Sequence, residues 1–319
     1  MSTSPTERGP DKVLMLLTSD FVTARYEALR ARAPDLRIVT ELGADADPAV
    51  TALFAFKLPP GIAPRLPNLR LAASVGAGAD GILSAPDLPA QVKVTRAVEP
   101  GLGLSMAQYV SLQILRHFRA LQAMEKQHAA GEWKRLPVPD AREVTVGIMG
   151  LGAIGSVVAA AIGALGFKVV GWTRAKARLA SVQVFVGEGS MDAFLAQCDY
   201  LVCLLPITGQ TAGLLDRTRL SKLPRGSYVV NVARGGIVVE QDLLELVDQG
   251  HLSGAAFDVF ATEPLPPDSA FWRHDKVLVT PHIAAQPSVG PVVTQFLDNL
   301  ERLARNEPLV NEVDRSLGY

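Results

Sequence analysis

Gly150-Leu151-Gly152-Ala153-Ile154-Gly155 is the stretch whose reading decides the fold. G-x-G-x-x-G recurs by chance in many chains. Here it follows the apolar run Val144 to Met149 and opens an Ala/Val-rich segment, Ser156 to Leu165, with the character of a helix. Between a strand and a helix the three glycines have separate tasks. The first permits the tight turn, the second lets the backbone approach a pyrophosphate, and the third packs helix on strand. The helix N-terminus adds N–H groups and partial positive charge for the phosphates. The stretch therefore reads as a dinucleotide-binding turn. It lies near the middle of 319 residues, so a separate unit is expected ahead of it.

Outward from the turn, further apolar runs predict strands at Val144–Met149, Lys168–Trp172, Tyr200–Leu205, Tyr228–Val232, Ala255–Val259 and Val277–Thr280. Upstream, strands are predicted at Lys12–Leu17, Leu36–Leu42, Thr51–Phe56, Leu69–Val75 and Val92–Thr95, with a helix over Phe21–Ala33 behind a cap at Thr18-Ser19-Asp20. One long helix, Gly103 to Ala130, is expected to join the two units. Ser288 to Asn306 repeats apolar residues at Val292, Phe296, Leu300 and Leu303, the spacing of a helix with one apolar face. Such a helix cannot extend a parallel sheet and is expected to return to the first unit. The fold class that results is α/β with two doubly wound parallel-sheet domains. The substrate domain is flavodoxin-like, over 1–100 plus 285–319. The NAD(P)-binding domain is of Rossmann type, over 101–284, and an interdomain cleft is expected between them.

Composition removes several classes. A net charge of −1 gives nucleic acid or a membrane surface no electrostatic footing. The polar N-terminus, Met1 to Lys12, has no apolar core of a secretory signal. The longest apolar run, Val157 to Phe167, is short of the ~20 residues that span a bilayer. Cys198 and Cys203 read as buried free thiols rather than a disulfide, which fits a cytoplasmic protein. His117, His128, His251 and His274 show no metal-ligand spacing with Cys or Asp. There is no G-x-S-x-G and no phosphate-loop lysine, so hydrolase and nucleotide-triphosphatase readings fall away.

Ligands of open parallel sheets bind outside the carboxyl ends of the strands. Beyond Tyr228–Val232 stands Arg234, beyond Ala255–Val259 stands Glu263, and beyond Val277–Thr280 stands His282. Reducing a carbonyl needs a proton for oxygen as hydride reaches carbon, and histidine can hold that proton near neutrality. A carboxylate beside it favours the imidazolium. Arginine can clamp a substrate carboxylate bidentately. The trio thus suits hydride transfer to a keto acid.

The stretches Gly150–Gly155, Asn231 to Gly236, Gly254 to Phe260 with Glu263-Pro264, and Thr280 to Ala284 resemble the D-isomer-specific 2-hydroxyacid dehydrogenase family over nearly the whole chain. The intervals of 29 residues from Arg234 to Glu263 and 19 from Glu263 to His282 match the catalytic triad of that family. Trp172-Thr173-Arg174, Phe271 to His274 and the ending Val313 to Tyr319 are most similar to its branch acting on glyoxylate and hydroxypyruvate. The resemblance implies that Arg234 binds substrate, Glu263 tunes His282, and His282 is the acid/base. It further implies that Asp258 touches the nicotinamide carboxamide and that Leu205 and Pro206 cover the adenine side. Val232, Ala233 and Ala284 complete the cofactor lining. The glycine-bearing loop Val75-Gly76-Ala77-Gly78 would hold the substrate carboxylate, with Lys57 nearby; Phe56 stands where relatives often carry tryptophan. A homodimer is implied, and Trp133 is a candidate for its border.

The second strand of the nucleotide unit bears on the cofactor. NAD-binding versions end it with an acidic residue for the ribose hydroxyls. Thr173 stands there, followed by Arg174 and Lys176, a hydroxyl and two cations suited to a 2′-phosphate. NADP(H) is expected, with NAD(H) as the second choice. The expected reaction is NADPH-dependent reduction of glyoxylate or hydroxypyruvate to glycolate or D-glycerate. Two alternatives share the fold: an NAD(H)-binding corepressor-like regulator and an NAD-dependent 3-phosphoglycerate-type dehydrogenase. Extra tails or domains and a preference for NAD would mark either one.

Overall fold

The computed structural model describes residues 12–174, 179 and 182–318. Along the chain run β1 (Lys12–Leu14), α1 (Asp20–Arg32), β2 (Arg37–Val39), β3 (Val50–Ala55), β4 (Leu71–Ser74), α2 (Asp80–Leu83) and β5 (Lys93–Thr95). Next come α3 (Pro100–Phe118), α4 (Leu121–Ala130), β6 (Thr145–Met149), α5 (Ala153–Ala164), β7 (Lys168–Thr173), β8 (Gln183–Val186), α6 (Met191–Leu195) and β9 (Tyr200–Cys203). The remainder comprises α7 (Arg217–Leu220), β10 (Ser227–Asn231), α8 (Glu240–Asp248), β11 (Leu252–Phe257), β12 (Val277–Val279) and α9 (Val289–Arg305). Two compact units result, Met1–Glu99 with Pro287–Tyr319, and Pro100–Gln286.

In the first unit five parallel strands take the order β2-β1-β3-β4-β5, the flavodoxin-like order. Both faces of this sheet are covered, which is why its strands read as continuous apolar runs. Ala52 and Phe54 belong to one buried cluster with α1 and α9; Leu53 and Ala55 belong to the other. Val292, Val293, Phe296, Leu300 and Leu303 form the apolar face of α9 in that first cluster. Phe296 stacks on Phe54 with ring centroids 4.2 Å apart. Each fully buried ring of this kind contributes about 1.5–3 kcal/mol.

In the second unit seven parallel strands take the order β12-β11-β10-β9-β6-β7-β8. Counted from β6 this is the doubly wound nucleotide-binding order, with its switch point between β6 and β9. One face packs on α3 and α5 through Val110, Ile114, Val158 and Ile162, the other on α6 and α8 through Phe194, Leu195, Leu243 and Val247. Cys198 and Cys203 are buried free thiols, and burial raises both above the ordinary range. Among the described residues no helix is long and apolar enough to cross a membrane.

Three local readings change. The long helix is two, because Ala120 takes a left-handed conformation at φ 52°. Alanine is the strongest helix former, so nothing in the composition announces that break. Strand β8 was not anticipated: its Val184-Phe185-Val186 run is short, and the strand lies partly exposed at the sheet edge. Helix α5 begins at Ala153, immediately after Gly152, rather than at Ser156.

Candidate active site

Strand register in the second unit puts the candidate residues on one edge. Met149 pairs with Trp172 and with Cys203, Asn231 with Cys203 and Phe257, and Phe257 with Val279. The segments after these residues, which carry Gly150–Gly155, Thr173-Arg174, Leu205-Pro206, Val232 to Arg234, Asp258 to Glu263 and His282 to Ala284, all leave the sheet on its carboxyl side. One edge therefore collects the glycine turn and the three ionisable side chains.

The glycine turn has the geometry its sequence predicts. Gly150 has φ 102°, a left-handed conformation that a side chain would oppose, and a Cβ there would meet the Leu204 carbonyl. A Cβ on Gly155 would be driven into the Gly150 carbonyl, so the first turn of α5 can close onto the end of β6 only with glycine there. A Cβ on Gly152 would meet nothing within 4 Å. That open side, at the N-terminus of α5, is where phosphate oxygens could reach the N–H groups of Ala153 and Ile154. The turn fits a dinucleotide.

His282 and Glu263 form the centre of the charged cluster. Nδ1 of His282 lies 2.7 Å from Oε2 of Glu263. An ionised carboxylate only accepts, so Nδ1 carries the proton and Nε2 is the ring atom that can exchange one with a substrate. Oε1 of Glu263 accepts the Phe260 amide at 2.9 Å. Partial burial disfavours the Glu263 charge. The hydrogen bonds from His282 and Phe260 and the charges of His282 and Arg234 outweigh it and hold the carboxyl below the ordinary value. Arg234 is half-buried, and its Nη1 donates to the Ala233 carbonyl at 2.7 Å. Gly235 seats this segment: a Cβ there would enter the Phe260–Ala261 backbone, so glycine alone lets the arginine loop close against the glutamate loop.

Asp258 anchors the histidine loop. It is almost fully buried. Its carbonyl accepts the His282 amide at 2.8 Å, Oδ1 accepts the Ile283 amide at 2.9 Å, and Oδ2 accepts the Ala284 amide at 2.8 Å. His282 itself sits at φ 54°, a left-handed conformation that costs a non-glycine residue about 1–2 kcal/mol. The loop is thus held in place by several bonds to one aspartate.

At the other end of the edge, β7 ends on Thr173, with no acidic residue there. Arg174 Nη1 donates to Gln210 Oε1 at 2.8 Å, joining the loop after β7 to the loop after β9. Lys176 lies outside the described residues. Leu205, Val232, Ala233 and Ala284 are buried, and the Pro206 carbonyl accepts the Thr211 hydroxyl at 2.7 Å. A strand end with a hydroxyl and a guanidinium fits a phosphorylated ribose better than a bare one.

In the first unit, Lys57 and the loop Val75–Gly78 follow β3 and β4, whose ends pair at Ala55 and Ser74. The Gly76 amide donates to Ser74 Oγ at 3.1 Å and that hydroxyl donates to the Gly78 carbonyl at 2.6 Å. One serine thus staples the turn. Phe56 lies over Gly76, where an added Cβ would meet its ring at 3.1 Å. Lys57 is exposed.

Several structurally prominent residues gave no sequence signal. Glu240, in the first turn of α8, accepts the Ala261 amide at 2.8 Å and steadies the glutamate loop. Gln210 holds Arg174 from a separate loop. His117, given no role by the sequence, is largely buried, bonded to Tyr200 and Ser253 and stacked on Tyr228. All are partnerships across long sequence separations.

Residues 111–284 match the D-isomer specific 2-hydroxyacid dehydrogenase, NAD binding domain. Glyoxylate/hydroxypyruvate reductase A of Klebsiella pneumoniae (strain 342) is 40% identical over 232 residues, 73% of this chain and 74% of that protein. A D-isomer specific 2-hydroxyacid dehydrogenase from Xanthobacter autotrophicus Py2, solved with NADPH and MES, superposes with TM-score 0.89 at 36% identity, over 98% of this chain and 100% of that one. The NADPH-dependent glyoxylate/hydroxypyruvate reductase of Sinorhizobium meliloti, solved with NADP and sulfate, gives TM-score 0.89 at 35% identity, over 97% and 100%. With its two parallel-sheet units, its glycine turn and this extent of similarity, the chain belongs to the D-isomer specific 2-hydroxyacid dehydrogenase family, a family of NAD(P)-dependent oxidoreductases.

Proposed function

We propose that this protein is an NADPH-dependent 2-keto acid reductase that converts glyoxylate and hydroxypyruvate to glycolate and D-glycerate. The observation that carries the reading is the 2.7 Å pair of His282 and Glu263 on the strand edge that also bears the glycine turn. NADP(H) is the preferred cofactor and NAD(H) the lesser one. Gly150, Gly152, Ala153, Ile154 and Gly155 receive the pyrophosphate, Thr173 and Arg174 the 2′-phosphate. Leu205, Pro206, Val232, Ala233, Asp258 and Ala284 line the rest. Both relatives solved with a nicotinamide cofactor and cited above hold the phosphorylated form, which supports this choice.

Bound NADPH supplies the hydride. Arg234 pairs with the substrate carboxylate and draws electron density from the neighbouring carbonyl. His282 gives its Nε2 proton to the carbonyl oxygen, while Glu263 holds Nδ1–H and stabilises the imidazolium before that transfer. In the first unit, the stapled turn Val75–Gly78 is proposed to offer the N–H groups of Ala77 and Gly78 to a carboxylate, with Lys57 adding positive charge. The homodimer is proposed from the family, supported by Leu104, Leu112 and Trp133, each more than half exposed.

The test is oxidation of NADPH and NADH with a panel of 2-keto acids. Turnover of glyoxylate or hydroxypyruvate with NADPH preferred is expected. No oxidation with any member of the panel would overturn the enzyme reading, and turnover confined to larger keto acids would overturn the substrate.

A further inference from the structure

Helix α3 places one side chain against the catalytic loop from behind the sheet. Tyr109 Oη lies 2.5 Å from Thr280 Oγ1, and Thr280 Oγ1 lies 2.6 Å from Asp258 Oδ1. The direction of the bonds follows from chemistry. An ionised Asp258 only accepts, so the single Thr280 proton goes to it, and Tyr109 must donate to Thr280. The chain runs Tyr109 to Thr280 to Asp258, and Asp258 then binds the amides of Ile283 and Ala284 and, by its carbonyl, that of His282. The chain of bonds ends on the loop that keeps His282 in a left-handed backbone conformation, so removing a link frees that loop to relax.

We propose that Tyr109 is a positioning residue for the reaction, holding the His282 imidazole in register through Thr280 and Asp258. The proposal rests on the reading of His282 as the acid/base. Tyr109 touches neither end of that reaction; it orders the loop that does. Burial, with the Asp258 charge as a lesser contribution, raises the Tyr109 hydroxyl to about 12, so it stays a donor throughout the working pH range. Gln113, one helical turn along α3, lies beside the same hydroxyl and is itself buried.

Tyr109→Phe keeps the ring and removes the donor. A fall in kcat of about tenfold is expected, the scale of one lost hydrogen bond in a charged network, with KM for NADPH within about twofold. Thr280→Val should show the same loss and Thr280→Ser should restore it. The double variant Tyr109→Phe/Thr280→Val should lose no more than the worse single one, because the links act in series. Losses that multiply would overturn the chain, as would a lowered melting temperature with kcat intact. A second readout does not need turnover: the low-field Nδ1–H proton resonance of His282, bonded to Glu263, should shift or broaden in Tyr109→Phe. An unchanged resonance overturns the proposal. If the wild type reduces no keto acid, the functional reading fails while this resonance still decides the role of Tyr109.

Discussion

His282 and Glu263 are bonded at 2.7 Å, and the same carboxylate is pinned by the amide of Phe260 at 2.9 Å. The second bond matters as much as the first. A glutamate held only by the imidazole could swing away with its own three rotatable bonds. Tied back to its loop, and with that loop seated over Gly235, it fixes both the tautomer and the plane of the ring. Pre-set geometry of this kind raises a rate because the ordering is complete before substrate arrives.

Replacing His282 by Gln removes the proposed proton donor and keeps a polar side chain. Turnover should fall by about 10²–10⁴, the range for a positioned general acid. NADPH affinity, followed by its fluorescence in the absence of keto acid, should stay within about twofold, because the substitution removes chemistry and leaves cofactor contacts in place. Full activity in this variant would remove His282 from the reaction.

Glu263→Gln tests the charge of the pair. The folded protein lowers the carboxyl pKa, so the unfolded chain binds its proton first as pH falls. The stabilisation is therefore complete above the ordinary carboxylate value of about 4.3 and is lost as pH drops through the lower folded value. Urea unfolding should show the wild type more stable than Glu263→Gln near neutrality, by less than about 1 kcal/mol since both side chains are about a third exposed, and the gap should close in acid. A gap that widens in acid would contradict the sign. At neutral pH the variant should also lose at least about tenfold in kcat, because a neutral amide stabilises the imidazolium less than a carboxylate does.

The proposed trio and the glycine turn could be picked out because their chemistry depends on residue type at strand ends, and strand ends can be read from apolar runs. Arg234, Glu263 and His282 needed no distant partner to be noticed. Tyr109 did: its bond to Thr280 spans 171 residues, and nothing in the local pattern of α3 separates it from an ordinary buried aromatic. Gln210 and Glu240 are hidden for the same reason. The break at Ala120 escapes because alanine favours a helix, and β8 escapes because its apolar run, Val184 to Val186, is only three residues long.

Arg174→Ala should raise KM for NADPH by about tenfold or more while changing that for NADH by less than about threefold, since only the phosphorylated ribose offers a charged partner. Steady-state rates with each cofactor at saturating glyoxylate give the comparison. Equal effects on both would show that Arg174 serves the loop, through Gln210, and not the phosphate.

The glycine turn allows a paired test. Gly155→Ala forces a methyl into the Gly150 carbonyl, an overpacking expected to cost about 1–3 kcal/mol and to lower the melting temperature. Gly152→Ala has room for its methyl and a backbone φ of −75° that alanine adopts freely. It should fold normally yet bind NADPH weakly, because the methyl stands on the side from which a pyrophosphate approaches. Wild-type affinity in Gly152→Ala would mean that the cofactor does not sit on this face of the turn.

His117 should set part of the acid limb of stability. Burial lowers its pKa to about 4, against an ordinary value near 6.5. Above the ordinary value both states are neutral and stability does not depend on this group. Between the two values the unfolded chain takes the proton and the folded one does not, so stability falls as pH falls, by at most about 1.4 kcal/mol per pH unit. Below the folded value the imidazole charges and would strain its bonds to Tyr200 and Ser253. His117→Gln cannot titrate. Its urea-unfolding free energy should start lower at neutral pH, where the packed ring and its two bonds are lost, and should then decline less steeply than the wild type from pH 6.5 to about 4. Parallel slopes would mean that the ring gains its proton without cost, and that the buried cluster of His117, Tyr200 and Tyr228 opens to water in that range.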